Sequence, residues 1–210
     1  MTGGKGYLLI IEDDPDILKL LDRTLTIKGY RVVTASNGYD GLEIIRKERP
    51  EIVITDIMMP KMDGFNLVHR LRIDPETRTI PVIFITVTYI AREDRDFARN
   101  IGATHFIQKP IDFERFLKII ENLLEQGEAV APEPLDDIKF YEGYLQRLEA
   151  KLDQKNKQLA RDNRILATTS SKEEKQLIQA SIHLASKECE ELEFLLTQIH
   201  EQIKKYPTPD

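Results

Sequence analysis

Four separated stretches of the chain each lead from a short apolar run to residues suited to phosphoryl chemistry. Tyr7 to Ile11 leads to Glu12-Asp13-Asp14, Ile52 to Thr55 to Asp56, Val82 to Ile85 to Thr86, and Thr104 to Gln108 to Lys109. If these runs are neighbouring parallel strands, their carboxyl ends share one sheet edge, where open parallel sheets hold ligands. Two or three carboxylates, a hydroxyl and an ammonium would then face one another. An Asp in such a set can act as a nucleophile toward phosphorus and form an acyl phosphate. Carboxylates alone repel incoming phosphate. A hard cation such as Mg²⁺ resolves the conflict, taking oxygen ligands from a few carboxylates, phosphate and water. Lys109 can neutralise a further phosphoryl oxygen, and Thr86 can donate a hydrogen bond to another. No Gly-rich phosphate loop is present, so nucleotide binding is not expected.

The elements that must position these residues alternate as strands and helices up to about residue 126. The runs above, with Arg31 to Ala35, are short and apolar, as strands covered on both faces are. Asp14-Pro15 reads as N-cap and first helical position. The helix they open carries Ile17, Leu18, Leu21 and Leu25 on one face and ends at Gly29. Further helices are expected at Tyr39 to Arg49, Gly64 to Arg72, Arg92 to Asn100 and Phe113 to Glu125, the last stopped at Gly127. Five strand–helix pairs predict an α/β fold, a five-stranded parallel doubly wound sheet covered by right-handed crossovers.

This predicts a first domain over residues 1–126, a linker over 127–135 with Pro132 and Pro134, and a tail over 136–206. The tail reads as an all-α hairpin or coiled coil. Ile138, Tyr141, Leu145, Leu148, Leu152, Leu159 and Leu166 follow three- and four-residue steps, interrupted at Lys155 and Asp162. Ile178, Ile182, Ala185, Cys189, Leu192, Leu196 and Ile199 repeat the pattern without a gap. Thr168 to Ser171 breaks the two helices, and Ser171 with Glu174 predicts a capping box. Beyond these seams stand Phe140, Tyr144, Leu177, Leu184, Phe194 and Leu195. So many large apolar groups suggest a second contact surface, and pairing of two hairpins into a four-helix bundle predicts a homodimer through the tail.

The net charge of −6 makes nucleic acid and anionic membrane poor partners. No run approaches the roughly 20 apolar residues of a membrane span, and residues 1–6 hold no signal-peptide core. The single Cys189 cannot form an internal disulfide, so the expected location is cytoplasmic.

The motifs together resemble the response-regulator receiver family, over roughly residues 6 to 126. The resemblance rests on Ile10-Ile11-Glu12-Asp13-Asp14, on Thr55 to Pro60 with Met62-Asp63-Gly64, on Pro81 to Thr86, and on Gly102-Ala103 followed by Lys109-Pro110. It implies a flavodoxin-like receiver fold and phosphorylation of Asp56 by a sensor histidine kinase. It further implies Mg²⁺ on Glu12, Asp13, Asp56 and the Met58 carbonyl, with Thr86 and Phe106 as the moving switch pair. The chain departs from the family where Val87 follows the switch Thr, a place usually held by a very small residue. Thr104-His105 also stands where acidic residues are frequent, which puts charge-paired contacts through the fourth and fifth helices in doubt.

Simpler roles exist for each residue taken alone. Asp14 suits a helix cap, Phe106 suits packing, Cys189 suits the tail seam, and His69 and His105 suit the surface. The reading is of a non-enzymatic phosphoacceptor that signals to a downstream protein of unknown identity through its receiver face and tail. A DNA-binding regulator would need a basic recognition helix, which the tail lacks. A phosphorelay protein would use His183 or His200. The alternative is the receiver and signalling-helix part of a larger hybrid kinase, against which the sequence reading sets the closing Pro207-Thr208-Pro209-Asp210.

Overall fold

A computed structural model describes residues 6–87, 91–127 and 133–206. The chain forms two compact units, Met1–Leu135 and Asp136–Asp210. In the first unit, β1 (Leu8–Ile11), β2 (Val32–Ala35), β3 (Ile52–Thr55), β4 (Val82–Thr86) and β5 (His105–Gln108) alternate with helices. These are α1 (Pro15–Ile27), α2 (Gly38–Lys47), α3 (Gly64–Ile73), α4 (Arg92–Asn100) and α5 (Phe113–Gln126). The strands are all parallel, in the order β2-β1-β3-β4-β5. This is the expected doubly wound sheet. The expected element ends differ by one or two residues: β2 starts at Val32, β5 at His105, and α2 runs Gly38–Lys47.

Local chemistry explains the boundaries that matter. Asp14 caps α1, accepting from the Asp16 and Ile17 amides at 2.9 and 3.2 Å. Gly29 and Gly127 take positive φ, 91° and 75°, just past α1 and α5, where a side chain would be strained. One side of the sheet buries Leu8, Ile10, Ile52, Ile54, Ile83 and Ile85 against Leu21 and Leu25 of α1 and Phe116, Ile120 and Leu123 of α5. On the other side Phe65 of α3 meets Phe84 and Phe97 edge to face, with centroids 5.4 and 5.1 Å apart.

Two residues of α3 are more buried than their types suggest. His69, expected on the surface, is buried at 3% exposure. Arg72 is 1% exposed, its guanidinium donating to the carbonyls of Ile80 and Gly102. Burial pushes its pKa down to about 10. Arg72 thereby ties α3 to the loops before β4 and before β5.

The second unit is a hairpin of α6 (Asp137–Thr168) and α7 (Lys172–Ile203). Each has 32 residues, about 48 Å at 1.5 Å per residue. The helices run antiparallel: Tyr206 donates to Asp137 at 2.5 Å, Cys189 faces Asn156, and Ser181 donates to Asp162 at 3.0 Å. Ser171 caps α7 by accepting from the Glu174 amide at 3.3 Å. Its hydroxyl also donates to the Glu173 carboxylate at 3.0 Å.

The seam of α6 corrects the sequence reading. Phe140, Tyr141, Tyr144, Leu148, Lys151 and Asp162 are buried, whereas Leu145 and Leu152 are half-buried. The buried face takes in Lys151 and Asp162, and the two expected interruptions find polar partners on α7, Ser181 for Asp162 and Glu188 for Lys155. Likewise Leu195 is buried and Leu196 only partly. Three of the six side chains assigned to a second surface, Phe140, Tyr144 and Leu195, are therefore buried. Cys189 packs in that core as expected, at 7% exposure. Of the expected linker, residues 128–132 lie outside the described residues. No helix among the described residues is long and apolar enough to cross a membrane.

Candidate functional site

Strand register brings the acidic residues together. Ile11 pairs with Thr55 across β1 and β3, so Glu12 and Asp56, the next residue in each case, leave the sheet side by side. The Asp56 amide donates to the Ile11 carbonyl at 3.0 Å and fixes that alignment. Thr86 pairs with Gln108 across β4 and β5, and the Lys109 amide donates to the Thr86 carbonyl at 3.0 Å. Lys109 thus enters the same edge from two strands away. Strand order reverses at this edge, since β1 is flanked by β2 and β3.

Lys109 Nζ bridges the acids, 2.8 Å from Glu12 Oε2 and 2.6 Å from Asp56 Oδ2. The other Asp56 oxygen, Oδ1, accepts from the backbone amides of Ile57 and Met58 at 2.5 and 3.3 Å. Glu12 is 2% exposed, Asp56 7% and Thr86 0%, while Asp13 is open to solvent. Burial, with the charge of Asp56 added, pushes the Glu12 carboxyl up to about 7. Asp13 is also raised, by burial first and then by Asp56. Burial would lower the Lys109 ammonium, but the charges and hydrogen bonds of Asp56 and Glu12 outweigh it and hold it above its ordinary value.

The loop between β3 and α3 supports Asp56 from below, and sequence reasoning gave it no such role. Asp63 caps α3 by accepting from the Asn66 amide at 2.9 Å, and the Gly64 amide donates to the Ile57 carbonyl at 2.8 Å. A Cβ on Gly64 would lie 2.3 Å from the Asp56 carbonyl oxygen. The signal available in sequence was the glycine itself, eight residues after Asp56, where close backbone approach requires the missing side chain.

The sequence-selected residues Glu12, Asp56 and Lys109 therefore meet directly. Asp13 senses Asp56 through space, and Thr86 ends the adjacent strand. Met58 contributes its amide to Asp56. Phe106 stands apart from the acids: its ring is 6.4 Å from that of Phe84, and it lines a cleft of about 290 Å³ with Arg95, Pro110 and Arg115. Val87 is well exposed, and Thr88 lies outside the described residues. His183 and His200 are exposed on α7, far along the chain from this edge.

Among the described residues, no three side chains of the types His, Cys, Asp and Glu form a closed metal cage. The donor chemistry nevertheless fits Mg²⁺, which binds through one or two carboxylates and keeps waters. Lys109 pairs with Glu12 and Asp56, and the charge of Asp56 adds to burial in raising the Glu12 and Asp13 carboxyls, a like-charge repulsion that a divalent cation would offset.

Comparison with known proteins agrees with this geometry. Residues 8–121, more than half of the 210-residue chain, match the family model described as response regulator receiver domain. The protein PilH of Pseudomonas aeruginosa is 38% identical over 117 residues, covering 56% of this chain and 96% of PilH. The transcriptional regulatory protein GlrR of Escherichia coli is 32% identical over 190 residues, 89% of this chain but 41% of that protein. The chain thus spans nearly all of one relative and less than half of the other. Among solved structures, the receiver domain of a signal transduction histidine kinase from Syntrophus aciditrophicus aligns with a TM-score of 0.54 and 33% identity, over 58% of this chain and 91% of that one. The chemotaxis response regulator CheY4 of Vibrio cholerae aligns with a TM-score of 0.52 and 29% identity, over 56% and 98%.

Proposed function

This chain belongs to the response regulator receiver family, and on that footing we propose that Asp56 accepts a phosphoryl group from a sensor histidine kinase and so switches the protein's contacts. The observation that carries the reading is the placing of Glu12, Asp56 and Lys109 at one buried strand edge, with Lys109 Nζ within 2.8 Å of both acids. Asp56 attacks phosphorus; the oxygen–phosphorus bond forms as the phosphorus–nitrogen bond of the donor imidazole breaks, and the imidazole nitrogen leaves with the electron pair. The Ile57 and Met58 amides hold Asp56 Oδ1 and so fix the orientation of the carboxylate. Lys109 would turn from the Asp56 carboxylate to a phosphoryl oxygen, and Thr86 would donate to another. Glu12, Asp13, Asp56 and the Met58 carbonyl would hold Mg²⁺, which when bound offsets the repulsion between phosphate and carboxylates. Phe106 follows Thr86 as the second part of the switch.

In this reading the protein is a phosphoacceptor with at most slow self-phosphorylation from acyl phosphates and slow self-dephosphorylation. It acts in the cytoplasm, and its output is protein contact through the receiver face and the tail, whose composition offers no DNA-reading helix. A second reading, that these residues are the front part of a larger hybrid kinase or phosphorelay protein, draws support from the likeness to the receiver domain of a signal transduction histidine kinase from Syntrophus aciditrophicus. The test is incubation of the full chain with a small acyl phosphate and Mg²⁺, followed by intact-mass analysis. One phosphoryl group should be gained, EDTA should abolish the gain, and the adduct should be lost in base. An adduct that survives base and maps to His183 or His200 would contradict the assignment.

A further inference from the structure

The hairpin is electrically lopsided. The Lys155–Glu188 ion pair crosses it near mid-length. On the loop side, residues 155–187 carry seven Lys and Arg against three Asp and Glu, a net +4. On the other side, residues 136–154 and 188–206 carry ten Asp and Glu against five Lys and Arg, a net −5. Within α7 the contrast is sharper still: Glu188, Glu190, Glu191, Glu193 and Glu201 have no Lys or Arg among them before Lys204.

The hairpin also leaves three large apolar side chains of α7 in water. Leu177 is 73% exposed, Leu184 60% and Phe194 61%. With the buried Ala185, Leu192 and Ile199 at heptad position a, Leu177 and Leu184 fall on g and Phe194 on c. Positions c and g are neighbours on the helix surface, so the three form one stripe beside the hairpin's own seam.

We propose that this stripe docks a second copy of the same hairpin, antiparallel to the first, forming a two-fold four-helix bundle. The inference rests on the reading that output runs through the tail and specifies the partner there. Two features lead to the same register. A two-fold axis at the level between Ala185 and Ser186 places Leu177 of each copy at the level of Phe194 of the other. That level lies within about 3 Å of the middle of α7, so the hairpins overlap along nearly their whole length. Full antiparallel overlap sets the +4 half of one copy against the −5 half of the other, whereas a parallel pair would set like charge on like. Charges of this kind choose orientation while the apolar stripe supplies the contact. The two-fold makes the surface self-complementary and closed, so assembly stops at two copies.

The test uses the full chain with Cys189→Ala, to remove the native thiol, and with cysteines introduced at exposed positions, where the hairpin core is untouched. Far-ultraviolet circular dichroism confirms helicity in each variant. On mild oxidation, Leu177→Cys/Phe194→Cys should give a covalent dimer, and Leu177→Cys alone should not. Leu184→Gln should raise the dimer Kd at least tenfold by sedimentation. A dimer cross-linked by Leu177→Cys alone would mean a parallel pair and would overturn the proposal. So would a chain that stays monomeric at micromolar concentration, which would leave the stripe for a different partner helix. The measurement needs no phosphoryl donor, so its failure leaves the Asp56 assignment standing, and loss of phosphorylation in Asp56→Asn leaves the dimer testable.

Discussion

Replacing Lys109 by methionine keeps a side chain of similar length and removes its charge. Nζ lies 2.8 Å from Glu12 and 2.6 Å from Asp56, and the three side chains are 10%, 2% and 9% exposed. Removing one partner from so buried a set leaves the opposing charges dry and unpaired, at a cost of roughly 3–5 kcal/mol. For a unit the size of Met1–Leu135, 1 kcal/mol corresponds to about 4 °C, so in EDTA its unfolding should fall by roughly 12–20 °C. A divalent cation held by the same acids returns part of the loss, about 1.4 kcal/mol at a tenfold excess over Kd and about 2.7 at a hundredfold. Mg²⁺ should therefore raise the Tm of Lys109→Met more than that of the wild type, where the ammonium already supplies positive charge. Differential scanning calorimetry of the full chain with and without Mg²⁺ measures both quantities. A variant that melts with the wild type in EDTA refutes the energetic argument. Equal gains from Mg²⁺ in the two proteins would separate the metal from this cluster.

Three further substitutions probe the surroundings. Gly64→Ala should cost about 1–3 kcal/mol by overpacking and slow phosphoryl uptake, because its Cβ would press on the Asp56 carbonyl; denaturant melts and timed mass analysis check both. Arg72→Leu should destabilise the unit by about 1–3 kcal/mol for each of the two carbonyls it leaves without a donor, read by urea titration. Met58→Asn should speed loss of the phosphoryl group, because the native thioether offers no donor to hold a water in line; an unchanged decay rate would count against this.

The site was legible in sequence to the extent that strand ends were. Each chemical residue follows a short apolar run, and in a parallel sheet that placement fixes which edge it joins. Asp14 was legible as a cap because an Asp before Pro15 satisfies the free amides of a first turn. What period and composition could not reveal was burial of charge. Arg72 reads as a surface residue until the carbonyls of Ile80 and Gly102 are known to converge on it. Lys155 and Asp162 read as breaks in the tail seam, yet Asp162 is buried and both find partners on α7, Glu188 and Ser181. Apolar spacing cannot see partners supplied by another element. For the same reason Phe140, Tyr144 and Leu195 looked surplus, although all three are buried.

The most direct measurement of the central claim compares wild type and Asp56→Asn in phosphoryl transfer. Both full chains are incubated with a small acyl phosphate and Mg²⁺, and the modified residue is located by peptide mass analysis. The asparagine keeps the side chain's shape and its carbonyl acceptor but cannot form the acyl phosphate. The wild type should gain one phosphoryl group on the peptide that contains Asp56, and the variant none. Equal gain by Asp56→Asn would contradict the account.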